Sequence, residues 1–257
     1  MKYLTLLCVI SVLSVGICSG ARVGDITTID GIRDNQLQGM GLVVGLDGQG
    51  DRKLDAANQA VVNAIRDYGL QLGLADVDKS ENFALVMVTA SIGPFAKSGD
   101  RIDVRVSAVG NAESLQGGVL LQTPLRAGTG DIYAAAQGPV QIGGFIGGDQ
   151  DGASVQKNHP TTGIVTNGAI VERPINTRIV NNSQLNLKLL NPNFTTAVRI
   201  ADANNRMYPA SSQSLDPATV NVFVPQVFMG QVPNFIAAIQ RIDASPDVPA
   251  RVVINER

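Results

Sequence analysis

The chain has 257 residues, of which 44% are hydrophobic and 16% charged, and it contains 27 glycines. This composition excludes a disordered tail protein, and the length allows one large domain or two ordinary ones. The net charge of −2 argues against a polycation that binds nucleic acid or an anionic membrane surface.

Residues 1–20 predict a signal peptide for export from the cytoplasm. Lys2 supplies a short positive region, and the apolar run at 3–16 that follows is too short for a comfortable membrane span. We expect cleavage near Gly20; lipidation at Cys18 is the less favoured alternative because a large residue precedes it. Both cysteines lie in this leader, so the exported part should contain no disulfide.

The residues after the leader predict extended structure followed by a helix. Residues 22–29 alternate between apolar and polar side chains, and 38–46 form an apolar run interrupted by glycines, which is typical of a strand close to other backbone. Apolar residues then recur every three or four positions through 56–72. This spacing predicts an amphipathic helix that ends at Gly69 or Gly73.

The middle of the chain predicts mainly strands. They are expected at 83–92, 101–106, 119–125, 132–136 and 163–171. The strict alternation at 101–106 predicts one buried and one charged face. The glycine-dense stretch at 143–152 predicts a flexible or exposed loop.

From residue 185 onward the pattern of apolar residues changes and predicts alternating strands and helices. Strands are expected at 185–190, 219–224 and 251–254, and helices at 194–207 and 233–242. On the first of these helices one side should consist of Phe194, Ala197, Val198, Ala201 and Asn205. The predicted fold class is α+β, with a β-rich domain at 21–180, a small β-α-β-α-β module at 181–257 and a linker at 176–183.

The side chains needed for catalysis are scarce. His159 is the single histidine and lies in a loop-like context, where an exposed turn residue is the expected role. The exported part has no cysteine to act as a nucleophile or metal ligand. We therefore predict a protein that is not an enzyme, with no catalytic, cofactor-binding or metal-binding residues.

Two glycine-rich patterns resemble ligand loops but lack essential residues. Residues 45–51 lack the Lys-Ser/Thr pair of a phosphate loop, and Asp47 and Asp51 would repel phosphate, so a structural turn is predicted. Together with Asp55 these acids are interpreted as surface residues beside a helix N-terminus. Residues 148–152 resemble the start of a calcium loop but lack its third acid and its distal glutamate.

One loop is a candidate for contact with a partner. Residues 93–101 should join two strands and present Lys97 and Arg101 on a rigid base. A solvated hairpin without a partner is the alternative, and the residues alone favour it.

Seven stretches, distributed from just after the leader to the last residue, resemble one family in the family's own order. They are GMGLVVGLDGQGD at 39–51, VMVTA at 86–90, RIDV at 101–104, AAAQGPV at 134–140, NGAIVER at 167–173, NFTTA at 193–197 and PARVVINER at 249–257. The chain resembles the flagellar basal-body P-ring protein family. Members usually continue beyond the stretch at 252–257, so the resemblance implies a C-terminally shortened chain; some members also carry cysteines.

The resemblance implies a structural role rather than a chemical one. It predicts a periplasmic protein of the bacterial flagellum basal body, which polymerises into a ring around the rod, serves as a bushing and requires no cofactor. The implied partners are copies of itself, the flagellar rod and the L-ring protein, with peptidoglycan and a periplasmic assembly chaperone as further candidates. Lys97 and Arg101 are then candidates for contact with the rod, because a bushing should face its axle with polar groups.

The main alternative is a periplasmic module that binds a glycan or a peptide through its glycine-rich loops. Such a module would usually offer aromatic platforms, yet aromatic residues make up only 4% of the chain and there is no tryptophan. An enzyme is the third alternative.

Overall fold

The computed structural model describes residues 20–67, 80–143, 145–148, 154–157 and 159–247. Within them helices and strands are mixed, which confirms the α+β class. Most of the predicted leader, the end of the predicted helix at 56–72 and the predicted strand at 251–254 lie outside the described residues.

The strands are numbered in chain order. They are β1 (Ala21–Arg22), β2 (Thr27–Ile29), β3 (Asn35–Val44), β4 (Phe83–Ile92), β5 (Arg101–Ala108), β6 (Val119–Arg126), β7 (Ile132–Pro139), β8 (Gln141–Ile142), β9 (Phe145–Gly148), β10 (Ser154–Lys157), β11 (Thr162–Val171), β12 (Gln184–Leu189), β13 (Ser212–Ser214), β14 (Thr219–Phe223) and β15 (Asp243–Ala244).

The helices are α1 (Val23–Ile26), α2 (Asp55–Asp67), α3 (Phe194–Met207) and α4 (Val232–Gln240), with a short 3₁₀ turn at Gln226–Phe228. None of these described helices has the length and apolar character needed to cross a membrane.

The described chain divides into two compact units. One consists of residues 33–177, and the other combines the residues up to Ile32 with those from Arg178 onward. Residues 20–32 therefore belong with the C-terminal unit. Whether 21–180 and 181–257 fold as independent domains stays a prediction.

The unit at 33–177 is built on one seven-stranded antiparallel sheet. Its strand order is β5-β4-β3-β6-β7-β11-β8, and a further pairing of β5 with β11 closes it. Alternate side chains of these strands point inward, as the period of two requires. The buried core they form includes Leu37, Val86, Val88, Val104, Val106, Leu120, Leu125 and Val165.

Two glycines of β3 allow a neighbouring strand to approach closely. A Cβ atom at Gly39 would overlap the carbonyl oxygen of Pro124, and one at Gly41 would overlap Oγ1 of Thr123. The prediction of a glycine-interrupted strand close to other backbone is confirmed.

Helix α2 packs on the opposite face of the same sheet. Ala57, Val61 and Val62 of the helix form a buried cluster with Leu42 and Phe83. This confirms the predicted apolar stripe over the part of the helix that is described.

The prediction of a loop at 143–152 is wrong for part of its length. Strands β9 and β10 pair antiparallel, with Ser154 opposite Gly148 and Lys157 opposite Phe145. Glycine lowers strand propensity without preventing backbone pairing, so local composition was a poor guide here.

The C-terminal unit is a four-stranded sheet of order β13-β14-β12-β2 packed against helices. Its core contains Leu185 and Leu187 of β12, Ile200 of α3 and Phe235 of α4, all fully or almost fully buried. Asn193 caps α3 by accepting a hydrogen bond at its side-chain oxygen from the N–H of Thr196 at 3.0 Å.

The prediction of extended structure through 22–29 is wrong at its centre. Val23 is fully buried and starts the helical turn α1, and its N–H donates to the carbonyl of Ile242 at 2.8 Å. The hydroxyl of Thr27 donates to the carbonyl of Val23 at 2.7 Å and closes the turn. Tertiary contacts thus override the alternating pattern.

The predicted apolar side of α3 is only partly correct. Ala197 and Ala201 are buried, but Phe194 is 70% exposed and Val198 is 49% exposed. Asn205 is half-buried and binds the backbone of Ser212 at both its N–H and its carbonyl. The remaining core-facing residues of the helix are Thr196, Ile200, Ala203 and Asn204.

Candidate partner-contacting loop

The candidate loop connects the buried end of β4 to the start of β5. Ile92 is fully buried at the end of β4, whereas Lys97 is exposed. Arg101, also exposed, is the first residue of β5 and not a loop residue, so the predicted segment 93–101 combines a loop with a strand end.

Local hydrogen bonds fix the tip of the loop around Lys97. The N–H of Lys97 donates to Oδ2 of Asp100 at 2.7 Å, and the N–H of Asp100 donates back to the carbonyl of Lys97 at 3.1 Å. Gly99 has a φ of +93°, a conformation that glycine adopts without strain. The position of Lys97 is therefore determined by a reciprocal turn.

The same loop is fastened to the strand beside it. Gly99 donates its N–H to the carbonyl of Val171 at 2.8 Å, and Val171 donates to the carbonyl of Asp100 at 2.9 Å. The hydroxyl of Thr177 donates to the carbonyl of Pro94 at 2.8 Å. These bonds fasten the backbone of the loop at both of its sides.

A bulge in β11 holds the charged side chains at the start of β5. The register between β5 and β11 shifts between Val165 and Ala169. Inside this shift Asn167 has a φ of +52°; its carbonyl accepts from Nη1 of Arg101 at 3.3 Å, and its N–H donates to Oδ1 of Asp103 at 2.7 Å. Sequence reasoning missed Asn167, although the Asn-Gly pair at 167–168 was a signal for such a bend.

The outer face of β5 is polar and charged. Arg101, Asp103 and Arg105 are exposed, whereas Val104 and Val106 are buried, which confirms the predicted alternation. A shallow groove beside them is lined by Gln36, Thr89, Ala90, Ser91, Asp103, Val104, Arg105 and Ile164. This surface offers charged hydrogen-bond donors and acceptors, and its lining includes the apolar side chain of Ile164, which is 45% exposed. In the loop itself the apolar side chain of Phe95 is 57% exposed.

The acidic candidates at the start of α2 do not share one role. Asp47 and Asp55 are exposed, but Asp51 is only 3% exposed, so its interpretation as a surface acid is wrong. Its two carboxylate oxygens accept the N–H groups of Leu85 at 2.7 Å and Ala112 at 2.9 Å. Asp51 therefore joins three chain segments, and the structural turn predicted at 45–51 is confirmed.

Other candidate chemistry has a simple structural context. His159 is exposed, and its carbonyl accepts the N–H of Thr162 in a turn. Among the described residues no group of three or more histidine, cysteine or acidic side chains is placed to hold a metal ion. Most of the calcium-loop-like stretch at 148–152 lies outside those residues.

Comparison with known proteins links residues 22–257 to one family. The family model described as flagellar P-ring protein matches residues 22–257. The flagellar P-ring protein of Geobacter sulfurreducens is 44% identical over 259 residues, which cover 100% of this chain and 70% of that protein.

Two further relatives carry the same name. The flagellar P-ring protein of Geotalea uraniireducens is 47% identical over 92% of this chain and 64% of its own length. That of Thermotoga maritima is 40% identical over 98% of this chain and 75% of its own. The chain thus spans about two thirds to three quarters of the length of these relatives.

Proposed function

Because this chain belongs to the flagellar P-ring protein family, we propose that it is a structural, non-catalytic subunit of the flagellar P-ring in the periplasm. The observation that supports this most directly is the match of the family model over residues 22–257. Copies of the chain would assemble around the flagellar rod and act as a bushing.

The experiment that tests this function is fractionation. An epitope-tagged full chain, expressed in its own flagellated host, should co-purify with detergent-extracted hook–basal bodies. A periplasmic glycan- or peptide-binding module would instead remain in the soluble periplasmic fraction. Recovery only in that soluble fraction would contradict the proposal.

We further assign the contact with the rod to Lys97 and Arg101. A bushing must hold its position without adhering to its axle, which favours fixed charges over apolar surface on the inner side. Both side chains are exposed, and backbone hydrogen bonds hold the segment that carries them. The carbonyl of Asn167 also restrains the guanidinium of Arg101.

Charge reversal tests this contact. The double variant Lys97→Glu/Arg101→Glu should reduce swimming in soft agar and the yield of rings on purified basal bodies. Arg33→Glu/Arg66→Glu is the matched control, because it changes two exposed cations of the same unit by the same charge. Immunoblots of the periplasm check that both variants accumulate. Normal swimming with the first variant would remove the loop from consideration while leaving the family function intact.

A further inference from the structure

The C-terminal unit exposes apolar side chains at two separate places. One group, called here the Phe194 end, consists of Leu190, Phe194, Val198 and Leu215. The other, called the Val227 end, consists of Met207, Phe223, Val227 and Met229. Val227 is 86% exposed and Phe194 is 70% exposed, so the residues that the structure describes in this unit cover neither of them.

Backbone hydrogen bonds hold the segments of the Phe194 end close together. Leu190 directly follows β12, and its N–H donates to the carbonyl of Ile26 at 3.0 Å. Asn193 donates to the carbonyl of Pro217 at 2.8 Å, which ties the start of α3 to the turn that carries Leu215. The segments that carry Leu190, Phe194 and Leu215 therefore meet at one end of the sheet, and Val198 lies one helical turn after Phe194 on α3.

The Val227 end is gathered by aromatic and backbone contacts. Tyr208, next to Met207, packs edge-on against Phe228 with a centroid distance of 5.9 Å. Phe223 donates its N–H to the carbonyl of Ser211 at 2.6 Å. The hydroxyl of Ser183 lies 3.7 Å from the sulfur of Met229. The end of α3, the end of β14 and the 3₁₀ turn thus meet at one place.

The two ends lie on opposite sides of the unit. In the β12–β14 ladder Gln184 is opposite Phe223 and Lys188 is opposite Thr219, so the ladder leads from the Val227 end to the Phe194 end. Helix α3 spans the same distance in the other direction, from Phe194 to Met207, and its 14 residues measure about 20 Å. A single flat partner could not cover both ends.

The charges beside the two ends are complementary. At the Phe194 end Asp216 and Asp247 are exposed, and Asn193 donates to the carboxylate of Asp247 at 3.3 Å. Two cations near this end already have partners: Arg199 donates to the carbonyl of Ser245, and Lys188 forms an ion pair with Asp30. The segments of the Val227 end, 203–214 and 221–231, contain the exposed Arg206 and no acidic residue. A contact between two ends of the same kind would bring like charges together, whereas a contact between a Phe194 end and a Val227 end brings opposite charges together.

We propose that the Phe194 end of one copy binds the Val227 end of the next copy. This inference rests on the proposed function and names the subunit contact within it. Because the two surfaces differ, the contact is heterologous. An open assembly of any length keeps one free Phe194 end and one free Val227 end, so addition continues until the rotation closes a ring. The apolar side chains supply the buried centre of the contact, and the charges select its direction.

Variants that each disable one end test the proposal on the full chain. Wild-type protein should associate beyond the dimer in sedimentation velocity as concentration rises. Phe194→Ser alone and Val227→Ser alone should each weaken association at least tenfold, because every contact needs both ends. Val109→Ser is the control, since it removes an exposed apolar side chain of the other unit; it should associate like wild type.

Mixing the two variants gives the decisive result. A Phe194→Ser copy retains its Val227 end and a Val227→Ser copy retains its Phe194 end, so the equimolar mixture should form a dimer that contains one of each and grows no further. A charge exchange gives a second test: Asp216→Arg or Arg206→Asp alone should weaken association about tenfold, and both changes in one chain should restore it.

Several results would overturn the proposal. They are a wild-type chain that stays monomeric at all concentrations, single variants that associate normally, and a mixture that forms no dimer. A lowered melting temperature with unchanged association would instead assign the Phe194 end to contacts within its own chain, and would overturn it too. Failure of these tests with intact co-purification in basal bodies would leave the proposed function standing, whereas absence from basal bodies would remove the function itself.

Discussion

Replacement of Asp51 should strongly destabilise the unit at 33–177. Its carboxylate is buried and accepts the N–H groups of Leu85 and Ala112, which lie on segments far apart in the sequence. Asp51→Ala would leave both N–H groups without this acceptor. A buried donor that loses its partner costs about 1–3 kcal/mol, so the two together should lower the free energy of unfolding by about 2–6 kcal/mol.

Two further variants make this prediction specific. Asp51→Asn keeps one oxygen for one N–H but directs an NH₂ group at the other, so its effect should be about half as large. Asp202→Ala removes an exposed carboxylate from α3 and should change the free energy of unfolding by less than about 0.5 kcal/mol.

The assay is urea unfolding of the full chain followed by far-ultraviolet circular dichroism, combined with hydrogen exchange of the amides of Leu85 and Ala112. In Asp51→Ala both amides should exchange faster than in wild type. A loss of less than about 1 kcal/mol with unchanged exchange would refute the role assigned to the carboxylate.

Three further predictions concern packing, a buried amide and one ion pair. Gly39→Ala should lower the free energy of unfolding by about 1–3 kcal/mol, because the added Cβ would overlap the neighbouring strand. Gly93→Ala is the control and should cost less than about 1 kcal/mol, because the space around Gly93 is open. Equal midpoints of urea unfolding for the two variants would contradict this prediction. Asn204 is fully buried, and both polar atoms of its side chain are without a hydrogen-bond partner among the described residues. Because buried polar atoms without a partner cost free energy, Asn204→Leu should raise the melting temperature. A melting temperature several degrees below that of wild type would refute this prediction. The hydrogen bond and the charge of Lys188, 2.5 Å away, hold the pKa of Asp30 below its ordinary value of 3.8, and Lys188→Met should raise that pKa in a carboxyl NMR titration. A carboxyl group whose pKa is lower in the folded protein stabilises the fold at pH values above its ordinary pKa, and this stabilisation is lost as the pH falls through the lowered pKa. Both side chains of the ion pair are about half exposed. The difference in unfolding free energy between wild type and Lys188→Met should therefore stay below about 1 kcal/mol at neutral pH and disappear in acid.

The sequence predicted best those elements whose signals are local. Helix α3 begins and ends where it was expected, because Asn193 is a strong capping residue and the apolar period of the helix is clear. Strand β4 likewise matches its continuous β-forming run. The mixed fold class and the strand-rich middle follow from such signals.

The failures come from contacts between distant parts of the chain. The N–H of Val23 donates to the carbonyl of Ile242, and the carboxylate of Asp51 accepts two N–H groups from distant segments. A short stretch of sequence around either residue contains none of these partners. The exposed position of Phe194 has the same origin, since the sheet decides which side of an amphipathic helix is covered. In the candidate loop Lys97 and Arg101 could be named from the sequence. The Asn-Gly pair at 167–168 signals a bend, but the restraint of Arg101 by the carbonyl of Asn167 depends on the pairing of β11 with β5, which no local signal specifies.

Electron microscopy of basal bodies tests the central claim most directly. The host strain with this gene deleted should yield basal bodies without the ring at the P-ring position, and expression of the full chain from a plasmid should restore that ring and motility together. Basal bodies that keep a complete P-ring in the deletion strain would contradict the account.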